Sequence, residues 1–169
     1  GRLLENLHFS FFEEPCPYEE LSETRSVAEK LRIPIAFGEQ NHSLWQFHWI
    51  LENRVAHILQ PDINYNGGLI RAKRVARIAE KFGRTIVPHN TQTGHTSVNL
   101  LQFASCTRNQ GAFMEYPWRA LQKSASWYQP DFRIQNGRIR VPDMPGMGVA
   151  FDPDYIRGAT VIARIVSPA

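Results

Sequence analysis

Short apolar runs alternate along this chain with longer stretches whose apolar residues recur every three or four positions. The runs His8 to Glu14, Ile33 to Gly38, Ala56 to Gln60, Thr85 to Val87 and Ala112 to Met114 predict five strands. Between them, helical spacing joins Leu21, Val27, Ala28 and Leu31, then Leu44, Phe47, Trp49, Ile50 and Leu51. It joins Leu69, Ala72, Val75, Ala76 and Ala79 in a third helix, and Leu100, Leu101 and Phe103 in a fourth. Ser43 stands where a side chain caps a helix, Gly67-Gly68 mark a loop, Gly83 ends the third helix and Gly94 opens the fourth. Such alternation predicts parallel βαβ units joined by right-handed crossovers. The unbroken apolar run Ile33 to Gly38 suits a strand covered on both faces.

After Glu115 the pattern changes. Arg133 to Val141 alternates in period two around Asn136-Gly137, a strong hairpin signal. The Pro/Gly-rich segment that follows carries Met144, Met147, Val149 and Phe151 and is read as ordered loop. We therefore divide the chain into an α/β part over 1–130 and a terminal hairpin with its tail over 131–169. Trp118 and Trp127 are expected to fasten the hairpin, and Trp45, Phe47 and Trp49 to pack an outer helix.

Each predicted strand ends on a polar group: Glu13, Glu39, Asp62, His89 and Glu115, at steps of 23 to 27 residues. A strand, a helix of about a dozen residues and two short loops need that many. The rhythm sets one polar side chain at the same end of every parallel strand, where α/β-barrel enzymes hold their chemistry. Five strands cannot close an eight-stranded barrel, which takes ~250 residues. The 169 residues are thus either an open-sheet protein or the carboxy-terminal portion of a barrel. LLENL reads as the tail of a helix, as if the chain opened inside a larger unit.

The composition narrows the function classes. Hydrophobic residues make up 43% of the chain, enough for a sizeable core, and no apolar run nears the ~18 residues of a membrane span. No signal peptide is visible, and the cytoplasm follows as the default compartment. Cys16 and Cys106 are too few and too far apart for a disulfide framework or a zinc site, and are read as buried or half-buried thiols. Net charge is +3. The basic run Arg71, Lys73, Arg74, Arg77, Lys81 and Arg84 falls mostly on the solvated face of an amphipathic helix, so no nucleic-acid partner is expected.

Together FFEEP, IAFGEQ, ILQPDINYNGG, IVPHN, FMEY and VPDMPGMGVAFD resemble the enolase superfamily, in its mandelate-racemase-like subgroup, from about Phe9 to Tyr155. The resemblance implies the carboxy-terminal portion, about strands four to eight, of a modified TIM-type (β/α) barrel, followed by a terminal β-hairpin segment directed toward a capping domain. It implies Mg²⁺ as cofactor, with Glu13 and Glu39 as two of its three carboxylate ligands. It makes Asp62 and His89 the family's Asp–His dyad and Glu115 the acid at the end of the eighth strand. The third-strand Asp, the second-strand Lys-x-Lys pair and the capping domain have no counterpart here, and are expected before Gly1.

Chemistry supports those residue types. The family reaction removes a weakly acidic proton next to a carboxylate, and a hard divalent cation at oxygen ligands stabilises the charge that develops. His89 suits a base because its ordinary pKa of ~6.5 lies near working pH, and Asp62 would orient its ring. Protonated Glu115 could donate to the substrate carboxylate. Asn41, His42, Asn90, Gln92 and His95, in loops just past strand ends, are candidates to line the pocket. His8, His48 and His57 are read as structural.

The resulting expectation is an Mg²⁺-dependent acid-sugar dehydratase, a hydro-lyase of carbohydrate acid catabolism, acting on a small-molecule sugar acid. The alternatives are a racemase or epimerase of a 2-hydroxy acid, and a catalytically incomplete or structural subunit of such an enzyme. A homo-oligomer is expected for the full-length form. The 169 residues alone are expected to be inactive, insoluble or dimerised through open sheet edges.

Overall fold

The computed structural model describes residues 1–117 and 126–163. A short helix α1 (Arg2–Asn6) leads into β1 (Phe12–Glu13), α2 (Leu21–Lys30), β2 (Ile35–Phe37), α3 (Leu44–Glu52), β3 (Ile58–Leu59), α4 (Leu69–Lys81) and β4 (Thr85–Ile86). A single 3₁₀ turn, Gly94–Ser97, then runs into α5 (Val98–Ser105). The four strands are parallel and neighbour one another in chain order, with Phe12 opposite Ile35, Ala36 opposite Ile58 and Leu59 opposite Ile86. This is the βαβ architecture that the alternation predicts.

The hydrogen-bonded strands are shorter than the apolar runs, because only their middle residues meet partners on both sides. The fifth run is displaced. Ile86 donates to the Asn109 carbonyl at 2.9 Å and accepts from Gly111 at 2.9 Å, so the parallel bridge falls on Gln110 and not on Ala112 to Met114. Phe113 in that run is 76% exposed, since no described strand lies beyond it. β2 is wholly buried, as its unbroken apolar run requires.

Helices α3, α4 and α5 cover the sheet, and the core gathers Phe37, Phe47, Ile50, Leu59, Val75, Ile86 and Phe103 around it. Gly38 turns the chain sharply out of β2 with φ +127°, and a Cβ there would press to 3.0 Å on the buried Phe47 ring. That turn sends Glu39 onto the carboxyl end of the sheet.

Four expectations need correction. Ser43 sits at the N-cap of α3 without a side-chain cap bond. Trp45 is 85% exposed and Trp49 is 42% exposed, so only Phe47 of that trio packs. Cys106 is exposed, while Cys16 is half-buried. Arg71 and Lys73 turn from the solvated face of α4 toward neighbouring loops, Arg71 to the Asn66 and His42 carbonyls and Lys73 to the Cys106 carbonyl and Thr107 hydroxyl.

In the terminal part, Asn136 and Gly137 do make a two-residue turn, both with positive φ, closed by Gln135 and Arg138. The predicted hairpin ends at that one bridge. Instead β5 (Tyr128–Gln129) pairs antiparallel with β6 (Ala150–Phe151), ahead of the short helix α6 (Pro153–Arg157). The segment is fastened to the α/β part by Gln102, which donates to the Pro142 carbonyl at 2.9 Å and the Met147 carbonyl at 3.2 Å. Trp118 lies outside the described residues, while Trp127 stacks on Phe151 and Tyr155 within this segment and meets His95 of the α/β part edge-on at 4.6 Å, the fastening expected of it.

Candidate active site

The polar groups expected at strand ends are found there. Glu13 closes β1, Glu39 follows β2 by two residues, and Asp62 and His89 each follow their strands by three. The Asp62 turn is built by its own carboxylate: one oxygen accepts from the Asn64 and Tyr65 amides, both at 2.8 Å. Its other oxygen lies 3.0 Å from His89 Nδ1. The opposite ring nitrogen, Nε2, is 3.6 Å from Glu39 Oε2. His89 therefore bridges two carboxylates in a part-buried position.

The electrostatics follow from this clustering. Burial alone would push the His89 pKa down, but the hydrogen bond to Asp62 and the charges of Glu39, Glu115 and Asp62 outweigh it and hold it above the ordinary value. The Glu13 carboxyl is pushed up, first by partial burial and then by the Glu115 and Glu39 charges, against a lowering hydrogen bond from Gln60 and the attraction of His89. Glu14 is pushed up by burial and by Glu39. One Glu14 oxygen is buried without a hydrogen-bond partner, and no cation among the described residues pairs with it. The site is thus a cluster of oxygen donors whose mutual repulsion a positive charge would relieve.

Glu115 reaches the same end of the sheet: its Oε2 accepts from the Asn90 amide at 2.7 Å. The Asn90 side chain donates to the Gln92 carbonyl at 2.9 Å and weakly to the Glu115 carbonyl, so Asn90 and Gln92 form a brace within the loop. Asn41 is buried, with its side-chain oxygen unpartnered. His42 is exposed, set edge-on to Tyr65. His95 departs from expectation. Its ring packs among Trp127, Tyr128 and Phe151, with centroids 4.6, 4.9 and 5.6 Å away, and so holds the terminal segment instead of facing the dyad. A small polar cleft beside the dyad is lined by Asp62, Asn64, His89, Asn90, Thr96 and Asn99. A wider groove in the terminal segment, around Phe132, Arg138 and Met144, holds none of these groups.

The structure adds two residues to the site. Gln60, buried and two positions before Asp62, stands beside Glu13 with its own side-chain oxygen unpartnered. A polar residue closing a buried strand was the signal for it. Arg71 links two site loops: Nε donates to the Asn66 carbonyl at 2.8 Å and Nη2 to the His42 carbonyl at 2.7 Å. Nothing in the helical pattern distinguished Arg71 from its solvated neighbours.

Parallel βα units with acids and a His–Asp pair gathered at one sheet end define a barrel-type α/β domain. The chain belongs to the family described as enolase C-terminal domain-like, whose model matches residues 1–155. An arabinonate dehydratase of Saccharolobus solfataricus is 30% identical over 88% of this chain and 39% of its own length. A D-galactonate dehydratase of Variovorax paradoxus is 30% identical over 92% of the chain and 42% of its own. Among solved structures, a mandelate racemase/muconate lactonizing enzyme-like protein of Roseovarius sp. superposes with TM-score 0.76 at 28% identity, covering 93% of this chain and 39% of that one. The 3,6-anhydro-D-galactonate cycloisomerase of Zobellia galactanivorans superposes with TM-score 0.74 at 26% identity, covering 92% and 44%. The chain thus spans about two fifths of the length of the curated relatives it matches. The resemblance to the mandelate-racemase-like enolases, and the reading as part of a barrel domain, both hold.

Proposed function

We propose that the protein carrying this chain is an acid-sugar dehydratase that removes the proton α to a carboxylate and eliminates a β-hydroxyl as water. The observation that carries the proposal is the alignment of Asp62, His89 and Glu39, at 3.0 Å and 3.6 Å, on one end of the sheet. Two relatives bearing dehydratase names support it.

In this reading Asp62 accepts a hydrogen bond from Nδ1–H and so fixes the tautomer, leaving His89 Nε2 to act as base. His89 takes the α-proton, and the C–H electron pair moves onto the substrate carboxylate as an enediolate, which then collapses to a carbon–carbon double bond as the β C–O bond breaks. The departing hydroxyl takes the proton back from the imidazolium and leaves as water. The enol acid left behind tautomerises to a 2-oxo acid. Glu115, held by the Asn90 amide, is placed to hydrogen-bond the substrate carboxylate as charge builds there.

The donor set suits a hard divalent cation in part. Glu13 and Glu39 offer oxygen ligands, and their repulsion together with the orphaned Glu14 oxygen marks a place lacking positive charge. Among the described residues no set of three His, Cys, Asp or Glu converges to hold a metal. Mg²⁺ held in part by Glu13 and Glu39 would supply positive charge against the developing anion.

The test is His89→Asn in the complete protein, given arabinonate, galactonate and xylonate in deuterated water. Loss of both α-proton exchange and 2-oxo acid formation is expected, with Mg²⁺ affinity nearly unchanged by calorimetry. Retained exchange would point to another base. Exchange with inversion and no water loss would instead support the racemase or epimerase reading on a 2-hydroxy acid.

A further inference from the structure

Between α4 and the chain that leaves α5 lies a cleft of about 330 Å³ that the dyad does not use. Lys73, Arg77 and Glu80 line it from α4, and Cys106, Arg108 and Asn109 line it from the residues after α5. Asn109 fixes its floor. The Asn109 side chain donates to the Ala76 and Arg84 carbonyls, both at 3.0 Å, and its own carbonyl accepts from the Ile86 amide at 2.9 Å. Arg84 precedes β4 and His89 follows it, so the cleft and the dyad lie at opposite ends of the same strand.

Positive charge in this cleft is left unbalanced. Lys73 donates to two neutral oxygens, the Cys106 carbonyl and the Thr107 hydroxyl. That contact covers the carbonyl end of α5, which would otherwise repel an anion. Arg77 and Arg108 are exposed on facing walls, and neither makes an ion pair or a side-chain hydrogen bond among the described residues. Glu80, the acid beside them, forms no ion pair there either. Three cations against one carboxylate leave the cleft two positive charges in excess.

We propose that this cleft binds the phosphate ester of a small molecule, with the phosphoryl group taken by Arg77 from one wall and Arg108 from the other. Guanidinium groups present a planar fork of donors that matches phosphate oxygens, and two forks can grip one group from opposite sides. A phosphate monoester carries about −1.5 to −2 charges near pH 7, which meets the excess here, whereas a carboxylate brings only one. The volume sits at the lower end of the roughly 300–1,000 Å³ of ligand sites, which suits a small ester. Lys73, held in place by the end of α5, adds its charge to the field at the cleft.

The experiment is calorimetry on the complete protein without divalent metal, near neutral pH, with inorganic phosphate and glycerol phosphate against acetate and chloride at equal ionic strength. One saturable site per chain is expected for both phosphates and none for acetate or chloride. Arg77→Gln with Arg108→Gln should weaken phosphate binding at least tenfold, with circular dichroism unchanged because both side chains are exposed. Arg74→Gln, exposed on the same helix but outside the cleft, should leave binding within twofold of the parent. Unaltered phosphate binding in the double variant overturns the site. A parent that binds phosphate no better than acetate overturns the ligand class. A loss in Arg74→Gln as large as in the double variant would mean diffuse surface charge, and overturns the proposal as well. None of these outcomes depends on whether the protein dehydrates any acid.

Discussion

Replacing Arg71 by methionine tests how the site loops are held. The substitution keeps an unbranched apolar stem and removes two donors, one to the Asn66 carbonyl at 2.8 Å and one to the His42 carbonyl at 2.7 Å. Hydrogen bonds from a charged group contribute about 1.5–3 kcal/mol each. His42 is exposed, so water can replace its lost donor and the contribution there falls to the low end. Asn66 is only 1% exposed and its side-chain oxygen already lacks a partner, so an unpaired carbonyl there costs about 1–3 kcal/mol. Both bonds leave from one guanidinium and do not simply add, which sets the expected loss at about 2–4 kcal/mol. Arg71→Lys, which can satisfy one carbonyl but not both, should lose roughly half as much. Urea unfolding of the complete protein measures both. Because the two loops carry Glu39 and Asp62, turnover should fall in Arg71→Met at saturating substrate more than apparent affinity does. If Met and Lys variants both lie within ~0.5 kcal/mol of the parent, Arg71 is an ordinary surface residue and the argument fails.

Two further outcomes follow from the fold. His57 Nδ1 accepts from the buried Ile35 amide at 3.1 Å, and its pKa is held below the ordinary value by burial and by Arg84. The unfolded chain therefore binds a proton that the folded one refuses, so stability should be intact above pH ~6.5 and decline as pH falls toward the depressed value. Denaturant titrations at a series of pH values should show that slope, and His57→Ala should flatten it while losing about 1–3 kcal/mol; an identical slope in both proteins would count against it. Gly94 has φ +58°, and a Cβ there would collide with the Tyr128 hydroxyl. Gly94→Ala should cost about 1–2 kcal/mol in backbone strain and loosen the terminal segment. Hydrogen exchange across the β5–β6 pair reads it, Tyr128→Phe should relieve part of it, and unaltered protection would sink the idea.

The spacing of Glu13, Glu39, Asp62, His89 and Glu115 was legible along the chain because a βα unit has a nearly fixed length. Whatever ends each strand must then arrive at the same edge of the sheet. The same regularity made β2 and the four crossover helices readable from apolar period alone, and the Asn136-Gly137 turn readable from its need for positive φ.

What the period could not convey is which neighbour a side chain meets. Arg71 shares its helical face pattern with Arg74 and Arg77, yet only Arg71 stands opposite two inward-facing carbonyls from loops 5 and 29 residues away. His95 sits in a polar loop by sequence, but residues more than thirty positions later close an aromatic box around it. The fifth strand slid to Gln110 because pairing is decided by the partner Ile86 and not by the apolar run itself. Local pattern determined the elements and the sheet end they serve, since both depend on distances of a few residues. Tertiary structure alone decided the contacts across loops, where Gln60 comes to lie beside Glu13 and where Trp45 is left facing outward, because those depend on distances in space that no local period encodes.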